Sequence, residues 1–184
     1  MSETQEFSIA WADARKGLAA GSVALMVFGT AVLLSGAAAF FVTDRATAVI
    51  LFVLTSLAVP ATPQVERWMG LPGMAGGNPL RKLVMQMAML KLLILPAALL
   101  VFLLRPALVT VALAAIVGGY YLPYSWIYRT RVFIFLGVAV AAIPWAFLLL
   151  AGAQSYPYAL LAWGSCDWIA AYSIRRELRT DASR

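Results

Sequence analysis

A lysine and an aspartate within long apolar stretches are the residues best placed to do chemistry. Lys91 lies in "MAMLKLLILP" and Asp167 in "WGSCDWIAAYSIRR". A charge in the hydrocarbon core of a bilayer is costly unless it reaches the interface or is paired. The helical rise puts Lys91 about 15 Å from Arg81, and Asp167 about 12 Å from Arg175. Opposite charges at nearly matched depth predict a Lys91–Asp167 pair.

Three interpretations of these two charges stay open. The pair can lock helix packing, as single polar residues do in other bundles. It can instead bind or move a solute or a proton, because intramembrane charges often line pathways. In the third interpretation, Lys91 reaches the interface through its long side chain and Asp167 faces water.

The sequence also excludes much common chemistry. Histidine is absent and Cys166 is the only cysteine, so histidine- or cysteine-rich zinc sites and Ser-His or Cys-His nucleophiles cannot form. Carboxylate-held metals need several acids, and Asp167 is the only acid clearly inside a predicted span. We therefore expect no metal, no cofactor and no catalytic residue. An enzyme that uses Asp167 as acid or base is the least favoured hypothesis.

The elements that carry these residues are predicted to be transmembrane helices. Of the 184 residues, 63% are hydrophobic and only 12% are charged, against about 25% charged residues in a soluble domain. A single all-α, polytopic helix bundle over residues 1–184 is expected. The predicted spans are about 18–41, 46–61, 79–104, 106–122, 132–153 and 157–174. The second should end near Pro60 and Pro63, because proline disrupts a helix interior.

The distribution of lysine and arginine predicts the orientation of these six spans. Two cations, Arg45 and Arg105, fall on one side. Eleven fall on the other: Arg15, Lys16, Arg67, Arg81, Lys82, Arg129, Arg131, Arg175, Arg176, Arg179 and Arg184. By the positive-inside rule both termini are cytoplasmic. The cations thus form a topology signal, and nucleic-acid binding is not expected. Residues 1–16 are either an interfacial helix or a frayed tail.

An aromatic and basic cluster is predicted at the cytoplasmic end of the fourth span. Its members are Tyr120, Tyr121, Tyr124, Trp126, Tyr128, Arg129 and Arg131. They can form an interfacial belt anchored by the arginines. Alternatively, the helix end is kinked at Pro123 and these side chains line a cytoplasm-facing site for an amphiphile or a lipid head group.

Small residues recur at helical spacing and predict close helix packing. The pairs are Gly17 with Gly21, Ala114 with Gly118, Ala115 with Gly119, and Gly137 with Ala141. Packing within the chain is favoured over formation of a homodimer.

Two motifs resemble a family of small bacterial multi-spanning membrane proteins of unknown function. One is Asn-Pro-Leu, which opens a span. The other is Leu-Pro-Tyr-x-Trp-x-Tyr, which closes the next. They are Asn78, Pro79 and Leu80, then Leu122, Pro123, Tyr124, Trp126 and Tyr128, with Pro96 between them. The resemblance covers about residues 78–140. It implies a protein of the bacterial inner membrane and supplies no activity.

Two functions are carried forward. The first is a small carrier or channel-like protein, acting as a homodimer, with a polar site around Lys91 and Asp167. The alternative is a non-catalytic factor that binds lipid or a partner membrane protein through the aromatic-basic end.

Charge reversal tests the predicted pair. Lys91→Asp and Asp167→Lys should each lower the yield of folded protein, because each puts two like charges together. The double exchange should restore it, as measured by size-exclusion profiles of purified protein. A double variant no better than either single variant would contradict the pairing.

Overall fold

The described part of the protein is all-α, as predicted. The computed structural model describes the backbone of residues 3–182, and within it the side chains other than those of residues 3, 4, 88, 91–95, 107, 153 and 182. No strand occurs among these residues. The helices are α1 Glu3–Gly17, α2 Ser22–Ala38, α3 Asp44–Trp68, α4 Leu80–Leu104, α5 Val109–Ile127, α6 Val132–Ala151 and α7 Tyr156–Ala182. Short 3-10 turns precede α2, α5 and α7.

Four of the described helical segments are long and apolar enough to cross a membrane. They are Ala19–Ala38, α3, α5 and α6. This supports a membrane protein. The count of six spans and the sides of the two termini stay predictions.

The order of packing places α2 to α7 around a ring. α2 packs most extensively against α7, and its other side packs against α3. α6 joins α7 to α5, and α4 packs mainly against α5. The ring closes between α3 and α4, which touch over only a few residues.

Contacts at the two ends of α2 show that it runs antiparallel to α7. Near the start of α2, the Ser22 hydroxyl accepts a hydrogen bond from Arg175 Nε, late in α7, at 3.4 Å. Past the other end of α2, the Phe40 and Tyr158 rings lie 5.3 Å apart. The end of the bundle that holds Ser22 and Arg175 is called the basic end below.

Glycines let two helix pairs approach backbone to backbone. A Cβ on Gly164 of α7 would lie 2.8 Å from the Gly29 carbonyl oxygen of α2, and a Cβ on Gly118 of α5 would overlap the Gly137 carbonyl oxygen of α6. The predicted packing within the chain is therefore confirmed at Gly118 and Gly137. Gly119 faces open space, so its predicted pair with Ala115 does not pack.

Contrary to the prediction from the sequence, the helix of the second predicted span does not end at its prolines. α3 continues through Pro60 and Pro63 to Trp68. Each proline removes one backbone hydrogen bond, whereas ending the helix would leave several backbone groups without partners in apolar surroundings. α7 likewise continues beyond the predicted residue 174, to Ala182. The extra turns of α3 carry Glu66 on the helix instead of in a loop.

A left-handed turn joins α1 to α2. Ala19, Ala20 and Gly21 have φ values of 46°, 48° and 76°. A Cβ on Gly21 would lie 2.9 Å from the Tyr128 ring. The turn therefore packs closely against the end of α5. Glycine at position 21 allows both this close approach and the positive φ.

Two neighbouring glycines on α5 test the α5–α6 contact. Gly118→Ala should lower the free energy of unfolding by about 1–3 kcal/mol, because the added methyl group forces the two backbones apart. Gly119→Ala is the matched control and should be neutral or stabilising, since alanine favours the helix and meets no neighbour. Chemical unfolding in detergent measures both. Equal effects at the two positions would contradict the packing described.

Candidate functional site

The Asn78 side chain connects α1 to the start of α4 through hydrogen bonds. Its Oδ1 accepts a hydrogen bond from the N–H of Leu80, the first residue of α4, at 2.9 Å. Its Nδ2 donates to the Ala10 carbonyl at 2.8 Å and to Asp13 Oδ2 at 2.7 Å. The helical interpretation of the N-terminal segment is confirmed by α1, whereas its place at a membrane interface stays a prediction.

Two members of the predicted aromatic-basic cluster hold α1 from the other side. The Trp11 ring of α1 lies 5.6 Å from the Trp126 ring, edge to face, and the Arg129 guanidinium lies 4.8 Å above Trp11. Arg15 of α1 pairs with Asp181 of α7 at 2.8 Å. Trp126 and Arg129 therefore dock α1, and Arg131 is exposed.

The tyrosines of the cluster pack together at the end of α5. The Tyr124 and Tyr128 rings are stacked, with centroids 5.8 Å apart, and Phe133 of α6 lies 5.8 Å and 5.7 Å from them. Tyr124 Oη donates to Tyr120 Oη at 3.2 Å, and Tyr120 Oη donates to the Met87 carbonyl of α4. These contacts join α4, α5 and α6 at the basic end.

Tyr121 links this cluster to the predicted intramembrane site. Its hydroxyl donates to Asp167 Oδ1 at 2.9 Å, and the Asp167 side chain is fully buried. The two sites that the sequence predicts separately are therefore in contact. The Lys91 side chain lies outside the described residues, so the Lys91–Asp167 pair stays a prediction. The helices that carry these two residues have different main neighbours. α4, with Lys91, packs mainly against α5, whereas α7, with Asp167, packs mainly against α2 and α6.

A cavity of about 290 Å³ lies beside the tyrosines at the basic end. Four helices and the first turn of α6 form its walls. The lining residues are Leu18, Gly21, Ala24, Leu25, Phe28, Val59, Thr62, Pro63, Glu66, Val84, Val117, Tyr121, Tyr124, Tyr128 and Phe133. The lining is mainly aliphatic and aromatic, so the cavity can hold an apolar or amphiphilic group.

One face of α3 supplies the most polar wall. Val59, Thr62, Pro63 and Glu66 follow the i, i+3, i+4, i+7 spacing of a single helix face. Glu66 is the one charged side chain among the described residues that line the cavity. Val59 and Pro63 are exposed, so this wall of the cavity is not fully covered by protein.

Sequence reasoning missed Glu66. It placed the residue in a loop, because the second span was predicted to end before it. The signal was present in the spacing of Val59, Thr62 and Pro63, which continues to Glu66 as one helical face. Tyr128, just beyond α5, faces the same region: burial, then Tyr124 and Glu66, raise the pKa of its hydroxyl. That hydroxyl is therefore protonated at neutral pH.

Comparison with known proteins identifies the family. A family model described as a family of unknown function, DUF7010, matches residues 10–177. The match covers most of the chain, which therefore belongs to this family. The resemblance found in the sequence also indicated a family of unknown function, and this part is confirmed. The specific motifs and the bacterial origin stay predictions. No curated protein and no solved structure matches the sequence significantly.

Removal of the Tyr121 hydroxyl tests its contact with Asp167. Tyr121→Phe should lower the free energy of unfolding by about 1–3 kcal/mol, since a buried carboxylate loses a hydrogen-bond donor. Tyr172→Phe is the control, because Tyr172 is 70% exposed on α7. Unfolding of both variants in detergent measures the difference. If the Tyr121→Phe variant is as stable as the control, the Tyr121–Asp167 hydrogen bond contributes nothing to the free energy of unfolding.

Proposed function

We propose that this member of the DUF7010 family is a multi-pass protein of the bacterial inner membrane that binds an amphiphilic ligand. The observation that carries the proposal is the cavity between α3 and α5, with its aromatic lining and one carboxylate. Its volume of about 290 Å³ is near the lower end of the roughly 300–1,000 Å³ typical of small-molecule sites. A few polar groups on a mainly apolar lining are also typical of such sites.

We also infer that the cavity lies at the cytoplasmic side. The starts of α2 and α6 and the ends of α3 and α5 contribute to its walls. Cations flank these same helix ends in the sequence, which places them inside by the positive-inside rule. Six spans with both termini in the cytoplasm are consistent with this arrangement.

The proposal develops the non-catalytic alternative from the sequence. Tyr121, Tyr124 and Tyr128 line the cavity, as the amphiphile interpretation expects. Arg129 contacts Trp11 and Arg131 is exposed, so the arginines act at the rim of the basic end. The ligand site is therefore aromatic and acidic inside, with the basic groups outside.

A carrier is the second candidate, and one contact favours it. Tyr121 lines the cavity and also hydrogen-bonds to the buried Asp167. Asp167, which the carrier hypothesis assigns to transport, is thus connected to the ligand site through the side chain of Tyr121. A carrier would release the bound ligand on the other side of the membrane, whereas a binding factor would not.

Filling the cavity tests the proposed function. The probes are tritiated dodecanol, dodecyl phosphate and dodecylammonium, with protein in lipid nanodiscs and empty nanodiscs as the blank. At least one probe should bind saturably to the wild type. Val117→Trp should weaken that binding by roughly tenfold or more, because the indole occupies the ligand space.

Val138→Trp is the matched control, since Val138 is 63% exposed on α6 and remote from the cavity lining. It should bind like the wild type. If no probe binds above empty nanodiscs, or if the two tryptophan variants bind alike, the proposed function is wrong. Flux of the bound probe across proteoliposomes separates the carrier from the binding factor.

A further inference from the structure

We propose that the cavity selects a lipophilic organic cation, an alkylammonium whose head group lies between Glu66 and the aromatic rings. This inference rests on the proposed function and names the class of its ligand.

The charge inside the cavity is negative and has no counter-ion in the described part of the chain. Glu66 is half-buried in the cavity wall, and the described residues offer it no ion-pair partner. Arg175, a cation of the same end of the bundle, donates instead to Ser22 Oγ and to Met69 Sδ, each at 3.4 Å. A carboxylate on an apolar wall favours a ligand that brings the opposite charge.

Most hydroxyl groups on the cavity wall already donate a hydrogen bond within the protein. Thr62 Oγ1 donates to the Ala58 carbonyl at 2.8 Å. Tyr121 donates to Asp167 at 2.9 Å. Tyr124 donates to the Tyr120 hydroxyl at 3.2 Å. The oxygen lone pairs of these hydroxyls remain, so they can act as acceptors toward a ligand. A head group with N–H donors complements them.

A proline adds a further acceptor to this wall. Pro63 has no N–H, so the Val59 carbonyl, one turn earlier on the same face of α3, lacks its usual helical donor. Val59 and Pro63 both line the cavity. The α3 wall therefore combines a carboxylate, a hydroxyl oxygen and a carbonyl that lacks its usual helical donor, all of which attract positive charge.

The opposite wall offers aromatic faces and apolar side chains. Tyr124 and Tyr128 are stacked, and Phe133 packs against both rings. Aromatic faces attract ammonium groups, most strongly where water is excluded. Leu25, Val84 and other aliphatic side chains of the lining accommodate an alkyl chain. An alkylammonium satisfies both walls, whereas an anionic lipid head group would meet Glu66 with like charge.

Head-group selectivity tests the inference with the same three dodecyl probes in nanodiscs. Wild-type protein should bind dodecylammonium at least about tenfold more tightly than dodecanol or dodecyl phosphate. Glu66→Gln keeps the side-chain shape and should remove most of this preference, because the carboxylate that attracts the ammonium group is gone. Glu6→Gln is the control for net charge, because Glu6 is exposed on α1, and should leave the preference intact.

The outcomes separate this inference from the proposed function. Saturable binding of dodecanol or dodecyl phosphate as tight as that of dodecylammonium would leave the ligand site standing and overturn its cation selectivity. The ranking in wild-type protein decides this even if Glu66→Gln does not fold. A preference that persists in folded Glu66→Gln protein would also overturn the inference. Binding of no probe at all would remove the proposed function itself.

Discussion

The hydrogen bond between Tyr121 and Asp167 connects the two halves of the helix ring. Asp167 belongs to α7, which packs with α2 at the Gly29–Gly164 contact, and α2 in turn packs with α3. Tyr121 belongs to α5, which packs with α4 and α6. A fully buried carboxylate requires a donor, and Tyr121 supplies one from the opposite half. The relative position of the two halves is therefore constrained at this point, and the cavity beside Tyr121 takes its shape from it.

The two halves also pack together along α6 and α7, are bridged at the basic end by α1, and barely touch at the α3–α4 edge. α1 bridges the basic end through Asn78 on the α4 side and through Arg15 on the α7 side. At the α3–α4 edge, few residues touch. The ring is therefore closely packed elsewhere and loosely packed at this edge.

The sequence predicted the all-α class, and it predicted the residues of the candidate site only in part. Long apolar stretches specify helices directly, so this class agrees with the structure. The tyrosine cluster was found because aromatic residues at a helix end form a local pattern. Glu66 was not, since proline was expected to end the helix before it. The Tyr121–Asp167 contact joins residues 46 positions apart, and no local spacing encodes such a pairing. It depends on which helices become neighbours.

Under the proposed function, a ligand that enters past the exposed Val59 and Pro63 of α3 would come from the surrounding acyl chains more readily than from water. Occupancy would then follow the mole fraction of ligand in the lipid, so a poorly soluble compound would saturate the protein at a very low aqueous level. Apparent affinity would scale with the amount of lipid in the sample, and cells with different membrane composition would fill the same cavity to different extents.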